Sequence, residues 1–236
     1  MNLLILAAGK SSRIFSKIKK HKCLLKINNK TLLSKIIDDS ISANIDKVNI
    51  VTGFREKILK KYIKKNHKNI KIINNSLFNK TDMLHSAILG LKNINDDVII
   101  SYSDIFYDVK IFHKIKKLNS KNILIPVKTD WLKVWKQRKK NIKDDAEDLI
   151  IDKKNFLKTI GGKIKKKYPK GQYMGIIYLP KSIIPKIVNV YKQNNIKKLQ
   201  MSNFLNFLIK LNYNIKVFNT KHYWYEFDDI DDFKNF

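Results

Sequence analysis

The sequence predicts an α/β fold with a Rossmann-like, mixed but mainly parallel sheet and helices on both faces. Short apolar runs typical of buried strands alternate along the first half with segments of helical periodicity. Glycine or polar residues directly follow these runs, as they do where ligands bind in such sheets. The 236 residues, 44% of them hydrophobic, suffice for one packed core. We therefore expect a single domain over residues 1–236.

The first half supplies most of the predicted sheet. The apolar run Asn2 to Ala7 precedes a glycine loop, which is typical of a buried parallel strand. Further strands are expected over 24–27, 48–51, 70–73 and 98–101, and helices over 31–43, 57–65 and 83–91. Parallel strands of this order present their carboxyl ends at one edge of the sheet, where ligands bind.

The second half is less regular, since charged segments interrupt its apolar runs. Strands are expected over 123–127, 147–152, 172–179, 215–218 and 223–227, and helices over 182–193 and 201–211. No linker rich in proline, glycine or serine separates the halves. We therefore expect the second half to complete the same domain.

The charge balance restricts the kinds of partner. The chain has 49 basic and 20 acidic residues, a net charge of +29, which makes nucleic-acid binding a candidate. Only Arg13, Arg55 and Arg138 are arginines, although arginine usually makes the specific phosphate and base contacts. We interpret the excess of lysine, asparagine and isoleucine as compositional drift on solvated faces. No nucleic-acid partner is expected.

Cysteine content and hydropathy bear on location. The single cysteine, Cys23, suits a reducing cytoplasm and excludes an intrachain disulfide. The apolar start, Leu3 to Ala8, is too short for a membrane span and lacks the basic leader of a signal peptide. We expect a cytoplasmic protein without a membrane span, and leave open whether it forms a homodimer.

A loop of small and basic residues follows the first strand. Gly9 lets the backbone approach a ligand closely, and successive N–H groups can hold phosphate oxygens. Arg13 and Lys22 add cations that suit phosphate. The loop lacks the spacing of a P-loop or of G-x-G-x-x-G. The candidate phosphate-binding residues of the loop are Leu6, Ala7, Ala8, Gly9, Lys10, Ser11, Ser12 and Arg13.

This segment resembles the opening signature of the sugar-nucleotidyltransferase superfamily. The resemblance rests on Leu6-Ala-Ala-Gly-Lys-Ser-Ser-Arg13 and on His21-Lys-Cys-Leu-Leu, which matches Pro-Lys-x-Leu. Ser11 stands where glycine is frequent, and His21 replaces the usual proline. The resemblance implies that residues 1–120 form a nucleotide-binding half and residues 121–236 an acceptor-binding half. It also implies that Arg13 and Lys22 bind the triphosphate.

Two carboxylates are candidate ligands for Mg²⁺, which prefers oxygen. Asp104 follows the buried strand 98–101, and Asp228 lies in Tyr225-Glu-Phe-Asp228 near the C-terminus. The resemblance matches Asp104 to the metal-binding aspartate after the fourth strand and Asp228 to the late Glu-x-Asp aspartate. From its position alone, Asp228 could instead cap a final helix.

The segment Thr81-Asp-Met-Leu-His-Ser86 opens a predicted helix. In the superfamily this place carries an asparagine and a serine beside the base and acceptor, so the resemblance implies nucleotide-binding roles for Asp82 and Ser86. Asp82 departs from asparagine. The alternative is that Thr81 or Asp82 only caps the helix.

The middle of the chain combines tryptophans with acids. Carboxylates pair with ammonium groups and aromatic faces attract quaternary ammonium, so this segment is a candidate amine site. It resembles the cytidylyltransferases that act on phosphocholine and on 2-aminoethylphosphonate. Core tryptophans beside a solvated acidic loop are the alternative. The candidate acceptor-binding residues are Trp131, Trp135, Asp144, Asp145, Glu147, Lys163 and Tyr173.

Together with these features, the resemblance implies a Mg²⁺-dependent cytidylyltransferase. It would transfer CMP from CTP to a small amine-bearing phosphonate or phosphate ester, with release of pyrophosphate. Lys163 would orient the acceptor, and Asp144, Asp145 or Glu147 would receive its ammonium group. A sugar-1-phosphate nucleotidyltransferase of the same fold is the first alternative. A basic nucleic-acid-binding protein without catalysis is the second.

Overall fold

A central sheet of eight strands organises the computed structural model, which describes residues 1–10, 12, 14, 16, 19–45, 47–164, 167–194 and 196–236. The first-half elements are β1 (Asn2–Ala7), β2 (Lys26–Ile27), β3 (Lys30–Thr31), α1 (Leu32–Ser42), β4 (Lys47–Thr52), α2 (Glu56–Asn66), β5 (Lys71–Asn74), α3 (Met83–Leu91), β6 (Val98–Tyr102), β7 (Ile105–Tyr107) and α4 (Lys110–Leu118). The second-half elements are β8 (Ile123–Lys128), α5 (Trp131–Arg138), α6 (Ile142–Asp145), β9 (Glu147–Ile151), β10 (Leu157–Lys163), β11 (Gln172–Tyr173), β12 (Ile176–Leu179), α7 (Ile184–Gln193), α8 (Met201–Lys210), β13 (Ile215–Thr220), β14 (Trp224–Glu226) and α9 (Ile230–Asn235). Short 3₁₀ turns span Lys22–Leu24 and Lys181–Ile183.

The sheet is mixed and mainly parallel, as the sequence predicts. Its strands run in the order β5-β4-β1-β6-β12-β8, and β11 and β13 also pair with β8. The strands β1, β4, β5 and β6 are mutually parallel, whereas β12 is antiparallel to both of its neighbours. The parallel strands therefore end at one edge of the sheet, on the side where β1 is followed by the glycine loop.

Every residue of strand β1 is buried, which places this strand in the middle of the core. Its side chains alternate between two apolar clusters: Leu3 and Ile5 pack in one, and Leu4 and Leu6 in the other. Burial of one such side chain stabilises the fold by about 1.5–3 kcal/mol. Within the described part of the chain, no helix is both long and apolar enough to cross a membrane.

The second half departs from the predicted elements in one strand that is divided and in several elements that were not expected. The expected strand 172–179 is divided into β11 and β12, and between them Gly175 has φ +73°, a left-handed conformation that suits glycine. Helices α5 and α6 and strand β10 are additional. Charged residues interrupt the short apolar faces of α5 and β10, so periodicity alone does not distinguish these two segments from loops.

Candidate active site

A cleft of about 430 Å³ opens at the carboxyl ends of β1 and β6. It lies where the predicted glycine loop and the predicted metal ligands meet. Its lining consists of Leu6, Ala8, Gly9, Lys10, Ser12, His21, Lys22, Asn75, Phe78, Asn79, Thr81, Asp82, Met83, Ser86, Tyr102, Ser103, Asp104 and Asp228. Residues separated by more than 200 positions thus form one pocket of the size that small ligands occupy.

A two-stranded antiparallel ribbon brings Asp104 and Asp228 together. Strand β7 follows Asp104 directly and pairs with β14, so that Glu226 lies opposite Ile105. The backbone N–H of Phe227 then donates to the carbonyl oxygen of Asp104 at 3.0 Å. This pairing fixes both carboxylates at the mouth of the cleft, although 124 positions separate them in the sequence.

Lys22 lies between the two carboxylates. Its Nζ donates to Asp104 Oδ2 at 2.7 Å and lies 3.6 Å from Asp228 Oδ1. Burial alone would lower the pKa of Lys22, but the carboxylates of Asp104 and Asp228 raise it above its ordinary value. The side chain is therefore a fixed positive charge at the cleft.

His21 occupies the position at which the resemblance expects proline. Its φ of −69° is the angle that a proline ring imposes, so the turn before Lys22 keeps the same backbone. The imidazole is 4% exposed, and its Nδ1 lies 3.2 Å from the sulfur of Cys23. Burial, together with the charges of Lys22 and Arg55, lowers the pKa of His21 to about 4. The ring is therefore neutral at physiological pH.

The glycine loop is open at Gly9 and tightly packed behind it. Among the described residues, a Cβ atom at Gly9 would meet no atom within 4 Å, whereas one at Gly53 would lie 3.0 Å from the carbonyl oxygen of Ala8. Phe54 N–H donates to that same oxygen at 3.1 Å. Strand β4 thus supports the loop from behind, while Gly9 leaves the cleft side free.

The other predicted residues of the first loop are placed differently. Leu6, Ala8, Gly9, Lys10 and Ser12 line the cleft, and Ala7 is buried at the end of β1. Ser11 and Arg13 lie outside the described residues. Their predicted contacts with phosphate remain predictions.

The segment before α3 caps that helix and also lies at the cleft, while its role in nucleotide binding stays a prediction. The Asp82 side chain accepts a hydrogen bond from Met83 N at 2.7 Å as the helix N-cap, and Asp82 also lines the cleft. Buried Asn75 donates to Ser86 Oγ at 3.0 Å, which orients that hydroxyl. Sequence reasoning missed Asn75, although its position directly after β5 was the signal for it.

The two predicted tryptophans lie in the core and do not contact the cleft. Trp131 and Trp135 are 2% and 3% exposed. Trp131 Nε1 donates to the carbonyl oxygen of Pro169 at 3.1 Å, and the Trp135 ring stacks on Trp224 at 6.0 Å between centroids. The aromatic face expected for an acceptor is therefore not open at either residue, because tertiary packing covers both rings.

The acids at 144 and 145 also lie away from the cleft lining. Exposed Asp144 accepts a hydrogen bond from Asn141 at 2.6 Å. Asp145 lies 3.3 Å from Nη1 of Arg138. The structure therefore gives both side chains partners within the protein, and neither is placed as the sequence expected of an ammonium ligand.

Glu147 and Tyr173 lie beside the cleft, behind Tyr102. Glu147 accepts a hydrogen bond from Ser202 Oγ at 2.8 Å, and burial raises its pKa. Tyr173 packs edge-on against Tyr102, a cleft residue that sequence reasoning missed, at 6.0 Å. Lys163 is exposed at the end of β10, opposite Glu147 in the strand register. Lys163 is not among the residues that line the cleft.

Glu226 is a further carboxylate that sequence reasoning missed, although it lies within the Glu-x-Asp pattern. Its pKa is raised well above the ordinary value, first by burial and then by the charges of Asp228 and Asp104. Asp104 Oδ1 is buried without a hydrogen-bond partner among the described residues. The like charges of Glu226, Asp228 and Asp104, together with the unsatisfied Asp104 oxygen, make this end of the cleft acidic.

A glycine loop after β1, with Asp104 after β6 and Asp228 after β14, is the arrangement that the resemblance predicts for a nucleotidyltransferase. Residues 3–200 match the model of the MobA-like NTP transferase domain, and the chain belongs to that family. The chain is also 30% identical over 251 aligned positions to CTP:phosphoglutamine cytidylyltransferase of Campylobacter jejuni, with 98% of this chain and 97% of that protein covered.

Solved structures share the fold at low sequence identity. The inositol-1-phosphate CTP transferase of T. maritima superposes with a TM-score of 0.77 at 14% identity, covering 98% of this chain and 90% of that one. CTP:phosphocholine cytidylyltransferase of Streptococcus pneumoniae gives 0.74 at 15% identity, covering 99% and 96%. A putative glucose-1-phosphate thymidylyltransferase of Bacillus anthracis gives 0.78 at 13% identity, covering 99% and 92%. These likenesses confirm the α/β nucleotidyltransferase fold.

Proposed function

We propose that the protein is a cytidylyltransferase that transfers CMP from CTP to a small phosphorylated acceptor bearing an amino group. The observation that carries this proposal is the cleft in which Lys22, Asp104 and Asp228 meet beside the glycine loop. The similarity to CTP:phosphoglutamine cytidylyltransferase over nearly the whole chain supports CTP as the donor. It also supports an acceptor with both a phosphoryl and an amino group, such as phosphoglutamine.

In the proposed reaction, a phosphoryl oxygen of the acceptor attacks the α-phosphorus of CTP. The bond between that phosphorus and the bridging oxygen to the β-phosphate breaks, and pyrophosphate leaves with the electron pair. The attacking oxygen is already anionic and needs no strong base, so the protein contributes mainly positioning and charge neutralisation. Lys22 is placed to neutralise phosphate charge, and the N–H groups of the glycine loop are placed to hold phosphate oxygens.

Asp104 and Asp228 fit Mg²⁺, which typically binds one or two carboxylates together with substrate phosphates. Among the described residues, no group of three or more histidine, cysteine or acidic side chains forms a metal centre. When bound, Mg²⁺ would neutralise charge on the triphosphate and lower the cost of attack at phosphorus. The two carboxylates would hold it, with Lys22 beside them as a second positive charge.

The acceptor amine is assigned to the side of the cleft beyond Tyr102. Burial, and then nearby groups that include Glu226 and Glu147, raise the pKa of Tyr102, which lines the cleft. A primary ammonium donates three hydrogen bonds and favours carboxylates. We therefore propose Glu147 as an ammonium ligand, in preference to Asp144 and Asp145.

One substrate screen tests the reaction class. Each of the four nucleoside triphosphates is combined with phosphoglutamine, 2-aminoethylphosphonate, phosphocholine or glucose-1-phosphate, and pyrophosphate release is measured. We expect CTP with an amine-bearing acceptor to give the highest kcat/KM. Preference for glucose-1-phosphate would replace this proposal with the sugar-1-phosphate alternative.

A variant pair tests the amine site. Glu147→Gln removes a charge-assisted contact, which is about 1.5–3 kcal/mol. We expect the loss in kcat/KM for the amine-bearing acceptor, with the KM for CTP unchanged. Asp144→Asn is the matched control, since Asp144 is an exposed acid of the same segment. Equal losses for glucose-1-phosphate and for the amine-bearing acceptor would contradict an ammonium-binding role of Glu147.

A further inference from the structure

Arg138 is a buried cation that no step of the proposed reaction uses. Its side chain is 0% exposed and lies at the end of α5. Nε donates to Asp232 Oδ1 at 3.0 Å, and Nη2 donates to Asp228 Oδ2 at 2.9 Å. Nη1 lies 3.3 Å from Asp145 and 3.9 Å from Glu226. Four carboxylates thus converge on one guanidinium, whose planar donors suit several acids at once.

The second anchor of this arrangement is Asp232, which is also 0% exposed. Its Oδ2 accepts hydrogen bonds from the backbone N–H of Asp228 at 2.7 Å and of Asp229 at 3.1 Å. Arg138 therefore contacts the side chain of Asp228 directly, and its backbone through Asp232. The C-terminal helix α9 is tied to α5 by the same contacts.

The two oxygens of Asp228 have different environments. Oδ2 is bound by Arg138, whereas Oδ1 lies 3.6 Å from Lys22 on the cleft side. A carboxylate that is fixed at one oxygen presents the other in a single orientation. Stability alone gives little reason for such a group, since well-packed apolar residues replace buried ion pairs at no loss in many proteins.

We propose that Arg138, together with Asp232, is a positioning residue that orients Asp228 for binding a divalent cation. This inference rests on the proposed function, in which Asp228 is a cation ligand. Groups that hold metal ligands from behind typically change metal affinity about 10–100-fold when they are replaced. The expected signature is therefore weaker cation binding in a folded protein.

The test substitution is Arg138→Lys, which keeps the charge but removes the planar set of donors. We expect the Mg²⁺ concentration for half-maximal activity to rise about 10–100-fold, with a much smaller change in kcat at saturating Mg²⁺. Mn²⁺ binding to the nucleotide-free protein, followed by electron paramagnetic resonance, should weaken in parallel. Lys140→Met is the matched control, because Lys140 pairs with Asp229 and Asp232 in the same cluster.

The outcomes separate this inference from the proposed function. An Arg138→Lys variant with the wild-type Mg²⁺ midpoint and Mn²⁺ affinity overturns the positioning role. If Asp228→Asn retains turnover and Mn²⁺ binding, the metal assignment itself is wrong. Where Arg138→Lys fails to fold, Asp232→Asn replaces it, since it keeps the shape of the side chain and removes its charge. A folded Asp232→Asn variant with unchanged Mn²⁺ affinity likewise overturns the proposal.

Discussion

At the scale of single residues, His21 shows how the chain substitutes for an expected proline without changing the backbone. The φ of His21, −69°, matches the angle that a proline ring imposes, and Lys22 is held by Asp104. What the histidine adds is a buried titratable ring, with consequences for stability at acid pH.

The substitution His21→Pro should remove part of the acid sensitivity of the fold. The pKa of His21 is about 4 in the folded protein, against 6.5 for an ordinary histidine. The unfolded chain therefore binds the proton more readily, and stability is lost as the pH falls from about 6.5 to about 4. At about 1.4 kcal/mol per pKa unit, the loss is about 3 kcal/mol.

Urea unfolding between pH 7.5 and pH 4.5 measures this loss. The wild type should lose more stability over this window than His21→Pro does. Any packing difference between the two proteins adds an offset that does not vary with pH. Parallel pH profiles for the two proteins would mean that His21 does not titrate as described.

The second prediction at this scale concerns Asp104, whose Oδ1 is buried without a hydrogen-bond partner among the described residues. Asp104→Asn should reduce turnover on the order of a hundredfold or more, because it removes a charge that would bind the metal. The fold should persist, as judged by circular dichroism. Asp38→Asn, at a surface ion pair with Lys30, serves as the control. Activity of the Asp104 variant that survives both with and without Mg²⁺ contradicts the metal assignment.

At the scale of elements, the loop between β1 and the 3₁₀ turn Lys22–Leu24 separates a binding side from a packing side. Gly9→Ala adds a methyl group on the open cleft side and should leave the melting temperature unchanged. It should raise the KM for CTP on the order of tenfold by displacing about one charge-assisted hydrogen bond.

Gly53→Ala is the contrasting variant, since its methyl group would lie 2.8 Å from Phe78 Cβ and 3.0 Å from the Ala8 carbonyl oxygen. Overpacking of this kind typically costs about 1–3 kcal/mol of stability. Thermal unfolding and CTP kinetics on both proteins test the pair. A Gly9→Ala variant that melts early but binds CTP normally would reverse the assignment of the two sides.

The elements also show what the sequence could predict. Local signals were sufficient for β1 and for α1, where Thr31 caps the helix by accepting from Ser34 N at 3.1 Å. The pairing of Asp104 with Asp228 was expected from the resemblance, whereas the contacts of Lys22 with both carboxylates were not. The positions of Trp131 and Asp145 were not predictable from the sequence. Trp131 contacts Pro169 and Asp145 contacts Arg138, and these contacts depend on tertiary packing. The helices involved are rich in charge and lack a distinctive apolar periodicity.

At the scale of the whole molecule, the net charge of +29 predicts non-specific attraction to polyanions. Lysine contacts to phosphate weaken steeply with salt, by about 10³–10⁵ between 50 and 200 mM for 6–10 contacts. Nuclease-treated protein should therefore release RNA in gel-shift assays at 200 mM KCl while retaining pyrophosphate release. RNA binding that persists at this salt, together with absent turnover, would favour the non-catalytic alternative.

The antiparallel pairing of β12 with β6 has a further consequence at this scale. The strands before residue 120 form one side of the sheet and those after it form the other, and the two sides meet where β12 pairs with β6. A fragment ending near residue 120 would leave β6 as an exposed apolar edge, which promotes self-association. We therefore expect that residues 1–120 do not fold as an independent unit. Two separately expressed fragments would recover activity only by complementation, with each supplying the missing neighbour of the other's strand.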